Sequence, residues 1–291
     1  MAGPDGRIAV VVVTRNRCAS TLGALGRLAA LAEAPAVTVV DNASSDGTAD
    51  AVTRAFSEAA VVRLHTNLGA AGRNCGVARA GAPYVAFSDD DSWWAPGALA
   101  AAADLFDAHP RLAVVAARVL VGAGERPDPI CAAMAAGRLG AAGAGGGPGT
   151  PVLGFVACGS VVRRRAFLEA GGFRLGYGVG GEEELLAIDL AAAGWELRYC
   201  PEVVAHHHPA KDRPPGAERR RLQARNAVRT AWLRRRPAGV VRRTAGITRL
   251  GRHDGAALRG LADAVRDLGW IWHERSPVPA WLEAQLRVLE G

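Results

Sequence analysis

The sequence predicts an α/β fold in which a mainly parallel central sheet is covered by helices on both faces, followed by a C-terminal helical extension. Over roughly the first 118 residues, short β-branched runs alternate with helix-like stretches. That alternation is typical of parallel strands joined by helical crossovers. From residue 211 onward the chain is arginine-rich and helical in pattern. We therefore expect one domain over residues 1–210, with halves at 1–118 and 119–210, and an extension over 211–291.

The elements of the first half follow from the positions of apolar runs and turn residues. The β-branched runs predict strands over residues 8–14, 37–40, 60–64, 83–88 and 112–119. The stretches between them predict four helices. The first covers residues 18–32 and the third residues 69–80. The second runs from a cap at Ser45 or Asp46 to about residue 56, and the fourth begins after Ala95 and ends at residue 109. Each strand thus leads into a helix, as a parallel sheet requires.

The second half is less regular in pattern. Glycine and proline dominate residues 137–151, which predicts a flexible loop. Strands are expected over residues 155–162, 196–199 and 203–206, and a helix over 181–193. That helix opens with three glutamates, and stabilisation of its N-terminal dipole alone would account for them.

Positive charge is concentrated in one segment. The whole chain carries a net charge of +7, whereas residues 211–252 hold 14 basic and two acidic residues, a net of +12. Such a segment favours an anionic partner: a lipid headgroup, a phosphorylated substrate or nucleic acid. A solvated helix face is the simpler interpretation of the same residues.

The remaining composition excludes several classes of protein. The five cysteines are widely spaced, so they predict neither a metal-binding pair nor a disulfide framework. Lys211 is the only lysine, which excludes a lysine-bearing phosphate loop. No apolar run is long enough to span a bilayer, and the run beginning at Ile8 is a strand rather than a signal peptide. We expect a cytoplasmic protein, with peripheral contact to the inner face of the membrane still open.

Polar residues follow the predicted strands where each one ends. They are residues 14–17, Asp41 with Asn42, residues 65–67, and the acidic run Asp89-Asp90-Asp91. In open α/β sheets, ligands bind beyond the carboxyl ends of the strands. Three adjacent carboxylates repel one another unless a cation or strong donors lie beside them. This pattern suits a nucleotide whose phosphates are held through Mg²⁺ or Mn²⁺.

Alternative explanations exist for these residues. Asp89–Asp91 could form a solvated turn, with Asp91 or Ser92 capping a helix that starts near Pro96. A Rossmann phosphate turn is excluded, because residues 14–18 contain no glycine. A phosphatase of the haloacid dehalogenase type fits poorly, since Trp93 occupies the place of its Thr or Val.

Seven motifs together resemble family 2 glycosyltransferases of the GT-A fold, in that family's order and over about residues 7–210. They are residues 10–17, 39–48, 67–69 with 72–74, 87–91, 159–163, 171–173, and 181–184 with 193–195. The resemblance implies transfer of a hexosyl group from a nucleoside-diphosphate sugar to an acceptor hydroxyl, with inversion at the anomeric carbon. UDP- or dTDP-sugars are the favoured donors, and a glycan, a lipid-linked sugar or a natural product could be the acceptor.

The resemblance also assigns roles in donor binding. Asp91 would bind the metal, and Asp89 would face the ribose or share the ion, with Asp90 completing the motif. Asp41 would accept from the base N3–H. The other expected donor contacts are Thr14, Arg15, Asn67 and Arg73.

A general base is expected among the glutamates, because the family carries a Glu-Asp pair about a dozen residues before an Ala-Gly-aromatic turn. Counting back from Gly194 places that pair on Glu182 and Glu183, of which we nominate Glu183. The chain departs from the pattern by having three glutamates and no aspartate, so Glu182 and Glu184 stay open as alternatives.

Histidines and tryptophans complete the expected site. The family often has a histidine near the metal or the diphosphate after such a strand. Because His206 and His208 share one face of a strand and His207 lies on the other, the resemblance implies His206 or His208 as a third metal ligand or a leaving-group contact. Trp93 and Trp94 could stack on a sugar, although core packing of one of them is equally compatible with the sequence.

Two rival functions are compatible with parts of the sequence. A sugar-phosphate nucleotidyltransferase would need a Gly-rich basic loop after the first strand, which residues 14–18 do not provide. A non-enzymatic nucleotide- or nucleic-acid-binding protein would use residues 211–252, but it leaves both acidic clusters unexplained, so a nucleic-acid partner is not favoured.

Overall fold

The computed structural model describes residues 5–139, 146–209 and 216–290, which form one mixed sheet flanked by helices and a helical extension. The strands within these residues are β1 (Ile8–Thr14), β2 (Ala36–Asp41), β3 (Ala60–Arg63), β4 (Tyr84–Asp89), β5 (Ser92–Trp94), β6 (Leu112–Val121), β7 (Arg126–Pro127), β8 (Thr150–Pro151), β9 (Ser160–Arg163) and β10 (Glu196–His207). The α-helices are α1 (Cys18–Ala29), α2 (Thr48–Ala55), α3 (Gly72–Arg79), α4 (Ala98–Ala108), α5 (Pro129–Ala135), α6 (Arg164–Glu169), α7 (Glu182–Ala192), α8 (Gly216–Arg234), α9 (Pro237–Gly251), α10 (Gly255–Arg266), α11 (Leu268–Glu274) and α12 (Ala280–Glu290).

The strands follow the order β3-β2-β1-β4-β9-β6-β10-β5 across the sheet, with β7 beside β6 and β8 beside β10. The first four are parallel, as the sequence predicts. β9 then inserts antiparallel between β4 and β6, and β5 pairs antiparallel with β10. The α/β class with a C-terminal helical extension is confirmed, and its sheet is parallel on one side and mixed on the other.

Alternating apolar residues bury both faces of the sheet. In β1, Val11 packs on one side with Phe87 and α7 residues. Val10 and Val12 pack on the other side with residues of α1 and α4. A strand whose two faces are both covered reads as a continuous apolar run, which explains the sequence of β1.

Several elements differ from those that the sequence predicts. The strands expected at residues 196–199 and 203–206 are one strand, β10, with a register irregularity between Cys200 and Val204. β9 starts at Ser160 because residues 157–159 form a 3₁₀ turn. Helix α4 starts at Ala98 with Gly97 at its N-cap, so neither Asp91 nor Ser92 caps it. Part of the loop expected at residues 137–151 lies outside the described residues, and its end forms β8.

The extension packs onto the sheet domain through several of its helices. Helix α8 contacts α7 and the loop before it. Val278, Leu282 and Leu286, in and just before α12, lie in the same apolar cluster as sheet residues such as Val114. Among the described residues, no helix is long and apolar enough to cross a membrane.

Most arginines of the basic segment have partners within the protein. Ion pairs join extension arginines to acids of the extension or of α7, as in Arg220–Asp254, Arg221–Asp263, Arg229–Asp267, Arg234–Asp189, Arg235–Glu283 and Arg243–Glu184. Much of the charge therefore stabilises tertiary contacts. Lys211 lies outside the described residues.

Candidate active site

The polar residues predicted at strand ends lie side by side, because the registers of three neighbouring strands align their carboxyl ends. Thr14 of β1 pairs with Asp41 of β2, and Val13 of β1 pairs with Asp89 of β4. Thr14 and Asp41 are buried, and about a third of the Asp89 side chain is exposed. This edge therefore presents hydrogen-bonding groups and one acidic run to the same space.

Each aspartate of the acidic run has a different partner. Asp89 forms an ion pair with Arg73 of α3. Asp90 Oδ2 accepts a hydrogen bond from Thr14 Oγ1 at 3.2 Å. Asp91 Oδ1 lies 3.3 Å from His207 Nε2. The run is therefore fixed by three separate elements and is not a solvated turn.

Asp90 is mostly buried and lies between two other carboxylates, which perturbs its pKa. Burial, followed by the charges of Asp91 and Asp89, raises its pKa to about 7. The hydroxyl of Thr14 contacts Asp90 and Thr21. A positive ion beside Asp89 and Asp91 would relieve the repulsion that Asp90 experiences.

The structure brings His207 to Asp91, rather than His206 or His208. His206 stacks on Trp93, with ring centroids 5.5 Å apart, and its Nδ1 lies 3.1 Å from Glu125. The His208 ring lies 4.7 Å from Trp93. The three histidines alternate between the two faces of the strand, as the sequence predicts. The side chain that meets the acidic run is that of His207, because β10 pairs His207 with Ser92, the residue after Asp91.

Neither tryptophan offers a free face for a sugar. Trp94 is 1% exposed and packs in the core, so it is the structural member of the pair. The guanidinium of Arg27 lies 4.0 Å from the Trp93 ring centroid, and His206 stacks on the same ring. The expectation of sugar stacking is therefore corrected for Trp94, and the Trp93 ring is already covered by protein groups.

The three glutamates that begin α7 have distinct partners. Glu182 is buried and accepts a hydrogen bond from the Gly180 backbone N–H. Glu184 accepts two bonds of 3.1 Å from Arg243 Nη2 of α9. Glu183 accepts one long bond, 3.4 Å, from the Ala157 N–H. Of the three, Glu183 is the carboxylate with most freedom to accept a proton.

Burial shapes the acid–base behaviour of these groups. It raises the pKa of Glu182 to about 8, with the Glu183 charge adding to the effect. It also raises the pKa of Glu183, although the backbone N–H groups of Glu183 and Ala157 and the charge of Arg73 act against it. A base with a raised pKa is matched to proton transfer near neutral pH.

Arg73 is the cation that faces both acidic clusters. It is 4% exposed, and Asp89, Glu182 and Glu183 all act on it electrostatically. Within the described residues, its Nε and Nη1 have no hydrogen-bond partner. Buried donors without partners are costly unless a ligand pairs with them.

Asp41 and Asn42 lie at the end of β2 on the same edge of the sheet. Asp41 Oδ1 accepts from the Ser44 N–H at 2.6 Å, which within the described residues is the only hydrogen bond to its side chain. Asn42 bonds Leu68 N and Gly69 O, which shapes the turn after β3. Asn67 is exposed and accepts from the Gly69 N–H, a turn-forming contact. Arg15 is exposed at the rim.

Comparison with protein-family models matches residues 9–171 to "Glycosyl transferase family 2". The chain belongs to that family. A search of curated proteins gives no significant match.

Solved structures confirm the GT-A fold of this family 2 glycosyltransferase. The mannosyltransferase PcManGT from Pyrobaculum calidifontis, solved with GDP-Man and Mn²⁺, is similar with a TM-score of 0.62 and 20% identity, over 99% of this chain and 88% of that one. S. aureus TarS with UDP-GlcNAc has a TM-score of 0.58 and 18% identity, over 76% of this chain and 66% of that one. At these identities the likeness establishes the fold.

The donor set of the acidic run fits a divalent cation that is shared with a substrate. No group of three His, Cys, Asp or Glu side chains is arranged as a complete metal site among the described residues. Asp91 and His207 supply one oxygen and one nitrogen. Cations of this class commonly take few protein ligands and complete their shell with phosphate oxygens and water.

Sequence reasoning missed three groups at this site. His207 lies on the face that strand alternation predicts, although His206 or His208 is the expected ligand, and the sequence predicts no specific contact for Asn42. Asn226 of α8, which is fully buried and donates to the loop before α7, gave no local signal at all. Its partners are 46 and 49 residues away in sequence.

Proposed function

We propose that this family 2 glycosyltransferase is metal-dependent and inverting, and that it moves a hexosyl group from a nucleoside-diphosphate sugar to an acceptor hydroxyl. The observation that carries the proposal is that the three glutamates at the start of α7 have different hydrogen-bond partners. Glu182 and Glu184 are held by Gly180 and Arg243, whereas Glu183 keeps a nearly free carboxylate beside Arg73 and Asp89.

The donor is a UDP- or dTDP-sugar in this proposal. Asp41 is buried at the end of β2, and its carboxylate retains acceptor capacity for the N3–H of a pyrimidine. Arg73 supports the binding of a diphosphate, because its guanidinium has N–H groups without partners in the described residues. Arg15 and Asn67 are exposed. We therefore propose that they contact only the outer part of the nucleotide.

Asp91 and His207 would hold Mn²⁺ or Mg²⁺, with Asp89 facing the ribose or sharing the ion. A bound divalent cation would neutralise the diphosphate charge that develops as the sugar leaves. Carboxylate oxygens suit Mn²⁺ and Mg²⁺. His206 and His208, in contact with Trp93, are assigned to support of β5.

The reaction itself requires one proton transfer and one displacement. The acceptor O–H gives its proton to Glu183 while the oxygen bonds to the anomeric carbon from the side opposite the diphosphate. The bond between that carbon and the diphosphate oxygen breaks, and its electron pair leaves with the nucleoside diphosphate. Arg73 stabilises the departing negative charge, and Glu183 ends the step protonated.

The rival functions receive less support. A nucleotidyltransferase would need a Gly-rich basic loop after β1, and residues 14–18 contain no glycine. A nucleic-acid-binding role for residues 211–252 is weakened because Arg229, Arg234 and Arg235 are engaged by acids of the same chain.

Peripheral contact with an anionic membrane remains part of the proposal, through α9. Arg249 and Arg252 are exposed and form no ion pair within the described residues, and Val241 and Leu250 are 68% and 51% exposed. Basic and apolar side chains together favour an anionic interface. Cosedimentation with phosphatidylserine vesicles tests this. A double variant, Arg249→Ala with Arg252→Ala, should lose binding that Arg165→Ala retains, and absence of binding by the wild type would contradict it.

The donor site is tested by thermal unfolding against a panel of nucleoside diphosphates, each with and without Mn²⁺. A nucleotide at about 100 times its dissociation constant adds about 2.7 kcal/mol of stability. We expect stabilisation by UDP or dTDP that requires Mn²⁺ and is lost in Asp91→Asn. Asp50→Asn is the control, since Asp50 pairs with Arg63 at the exposed surface.

Each result of that panel has a consequence for the proposal. Stabilisation by another diphosphate would keep the donor site and change the base. If a nucleotide stabilises the protein without metal, or stabilises the Asp91→Asn variant equally, the proposed metal dependence of donor binding is wrong. If no nucleotide stabilises the wild type, the proposed function fails.

A further inference from the structure

The segment that leads into α7 is a glycine-rich loop with an unusual backbone. Gly176, Gly178, Gly180 and Gly181 all have positive φ, between +75° and +116°. Glycine enters such conformations without a steric penalty, but it also loses the most conformational freedom when it is held there. The position of the catalytic glutamates therefore depends on what holds this loop.

Side chains of α8 hold the loop by its carbonyl groups. Asn226, 0% exposed, donates from Nδ2 to Tyr177 O at 2.9 Å and to Gly180 O at 2.7 Å. Arg225 Nη2 donates to Tyr177 O at 2.6 Å and to Gly176 O at 3.0 Å. Both amide hydrogens of Asn226 are used, so this side chain fixes two points of the loop at once.

A short covalent and hydrogen-bonded path links Asn226 to the base. Gly180 accepts from Asn226 through its carbonyl and donates through its N–H to the carboxylate of Glu182. Glu183 is the next residue. Displacement of Gly180 would therefore shift the first turn of α7 directly.

The same loop also touches the donor side of the site. Ala70 N donates to Gly178 O at 3.0 Å, in the turn that Asn42 shapes. A Cβ on Gly69 would lie 2.8 Å from Gly178 Cα, so the two backbones are in close contact. The loop thus bridges the nucleotide-binding turn and the base, and α8 closes it from the other side.

We propose that Asn226 is a positioning residue for Glu183, and that the C-terminal extension is therefore part of the active site. The inference rests on the proposed function of Glu183 as base. It concerns a region beyond the match to the family, which ends at residue 171. The extension acts through the 176–181 backbone and does not contact the reacting atoms.

The test compares Asn226→Asp, Asn226→Ala and Arg225→Ala with a control on the same helix, Arg221→Ala. Asn226→Asp keeps the size of the side chain but replaces two donors with acceptors facing carbonyls. Arg221→Ala removes an ion pair with Asp263 inside the extension and leaves the loop untouched. Circular dichroism confirms folding, and Arg225→Ala provides a milder perturbation if the Asn226 variants do not fold.

Two readouts are measured for each variant. Amide exchange at residues 176–184 should accelerate in the Asn226 and Arg225 variants and stay unchanged in Arg221→Ala. With a donor and acceptor that the wild type uses, kcat should fall by about tenfold to a hundredfold for Asn226→Asp, because a small misplacement of a catalytic group is costly. The KM for the donor should stay within about twofold.

The outcomes separate this inference from the proposed function. Unchanged exchange at 176–184 in the Asn226 variants would overturn the positioning role, whatever the activity. Faster exchange with an unchanged kcat would overturn it as well. If the wild type transfers no sugar and binds no nucleotide, both the proposed function and the catalytic part of this inference are wrong. The amide-exchange result still decides, in that case, whether α8 holds the loop.

Discussion

Replacing Glu183 with glutamine should abolish most turnover while leaving the fold intact. The side chain accepts one hydrogen bond of 3.4 Å from Ala157 N, which a glutamine oxygen can also accept. The change also removes a charge that burial disfavours, as its raised pKa shows. We therefore expect the midpoint of thermal unfolding to be unchanged or slightly higher.

The expected loss of rate follows from the role of a general base. Such a group contributes about 10²–10⁴ in rate, which corresponds to about 2.7–5.4 kcal/mol of the activation barrier. Glu184→Gln is the matched control, because it weakens two 3.1 Å bonds to the half-buried Arg243. That variant should lose about 0.5–1 kcal/mol of stability and keep most of its turnover.

The assay measures kcat/KM with a UDP-sugar over pH, together with UDP binding by calorimetry. Because burial raises the pKa of Glu183, the wild-type rate should rise with pH above the usual range of a glutamate, as the base loses its proton. The Glu183→Gln rate should be flat over that range, with UDP affinity unchanged. Retention of more than about a tenth of the activity, or a larger loss in Glu184→Gln, would refute the assignment.

Three further predictions concern the metal, the loop and the extension. His207→Ala should weaken Mn²⁺ binding to the UDP complex by about tenfold or more in calorimetry, whereas His206→Ala should not, and equal effects would contradict the chosen face. Gly69→Ala should cost more than the about 1–2 kcal/mol expected from its φ of +59° alone, because the new Cβ would also lie 2.8 Å from Gly178 Cα, and urea unfolding would show the loss. Glu283→Ala should cost about 1–3 kcal/mol in the same assay, because the buried Arg235 loses one carboxylate partner and keeps Glu290. No measurable loss would contradict a stabilising role of the Arg235–Glu283 pair.

The edge of the sheet could be predicted from sequence because it depends on local patterns. Thr14, Asp41 and Asp89 each follow an apolar run, and parallel strands bring such ends together. Neither the burial of Trp94 nor the contact of His207 with the acidic run could be predicted. Both depend on β5, a three-residue strand whose antiparallel pairing with β10 has no signature in the sequence.

The sequence narrows the proposed general base to three glutamates, but it does not distinguish among them. Spacing from Gly194 points to Glu182 and Glu183, yet three identical side chains in a row differ only in their partners. Those partners are backbone groups set by loop geometry, at Gly180 and Ala157, or an arginine 59 residues away, Arg243. Such distant pairings are decided by tertiary packing rather than by local sequence.

The contribution of α12 to the core has a consequence for how the chain folds. Val278, Leu282 and Leu286 belong to an apolar cluster whose other buried members lie between Ala9 and Tyr199, so their contacts within it with those members join residues far apart in the sequence. Contacts of such long separation slow folding, because loop-closure entropy must be paid before they form. On the ribosome, the strands of the described sheet are synthesised before α12, which leaves apolar surface uncovered in the meantime. The nascent chain is therefore expected to need chaperone protection until α12 has been made.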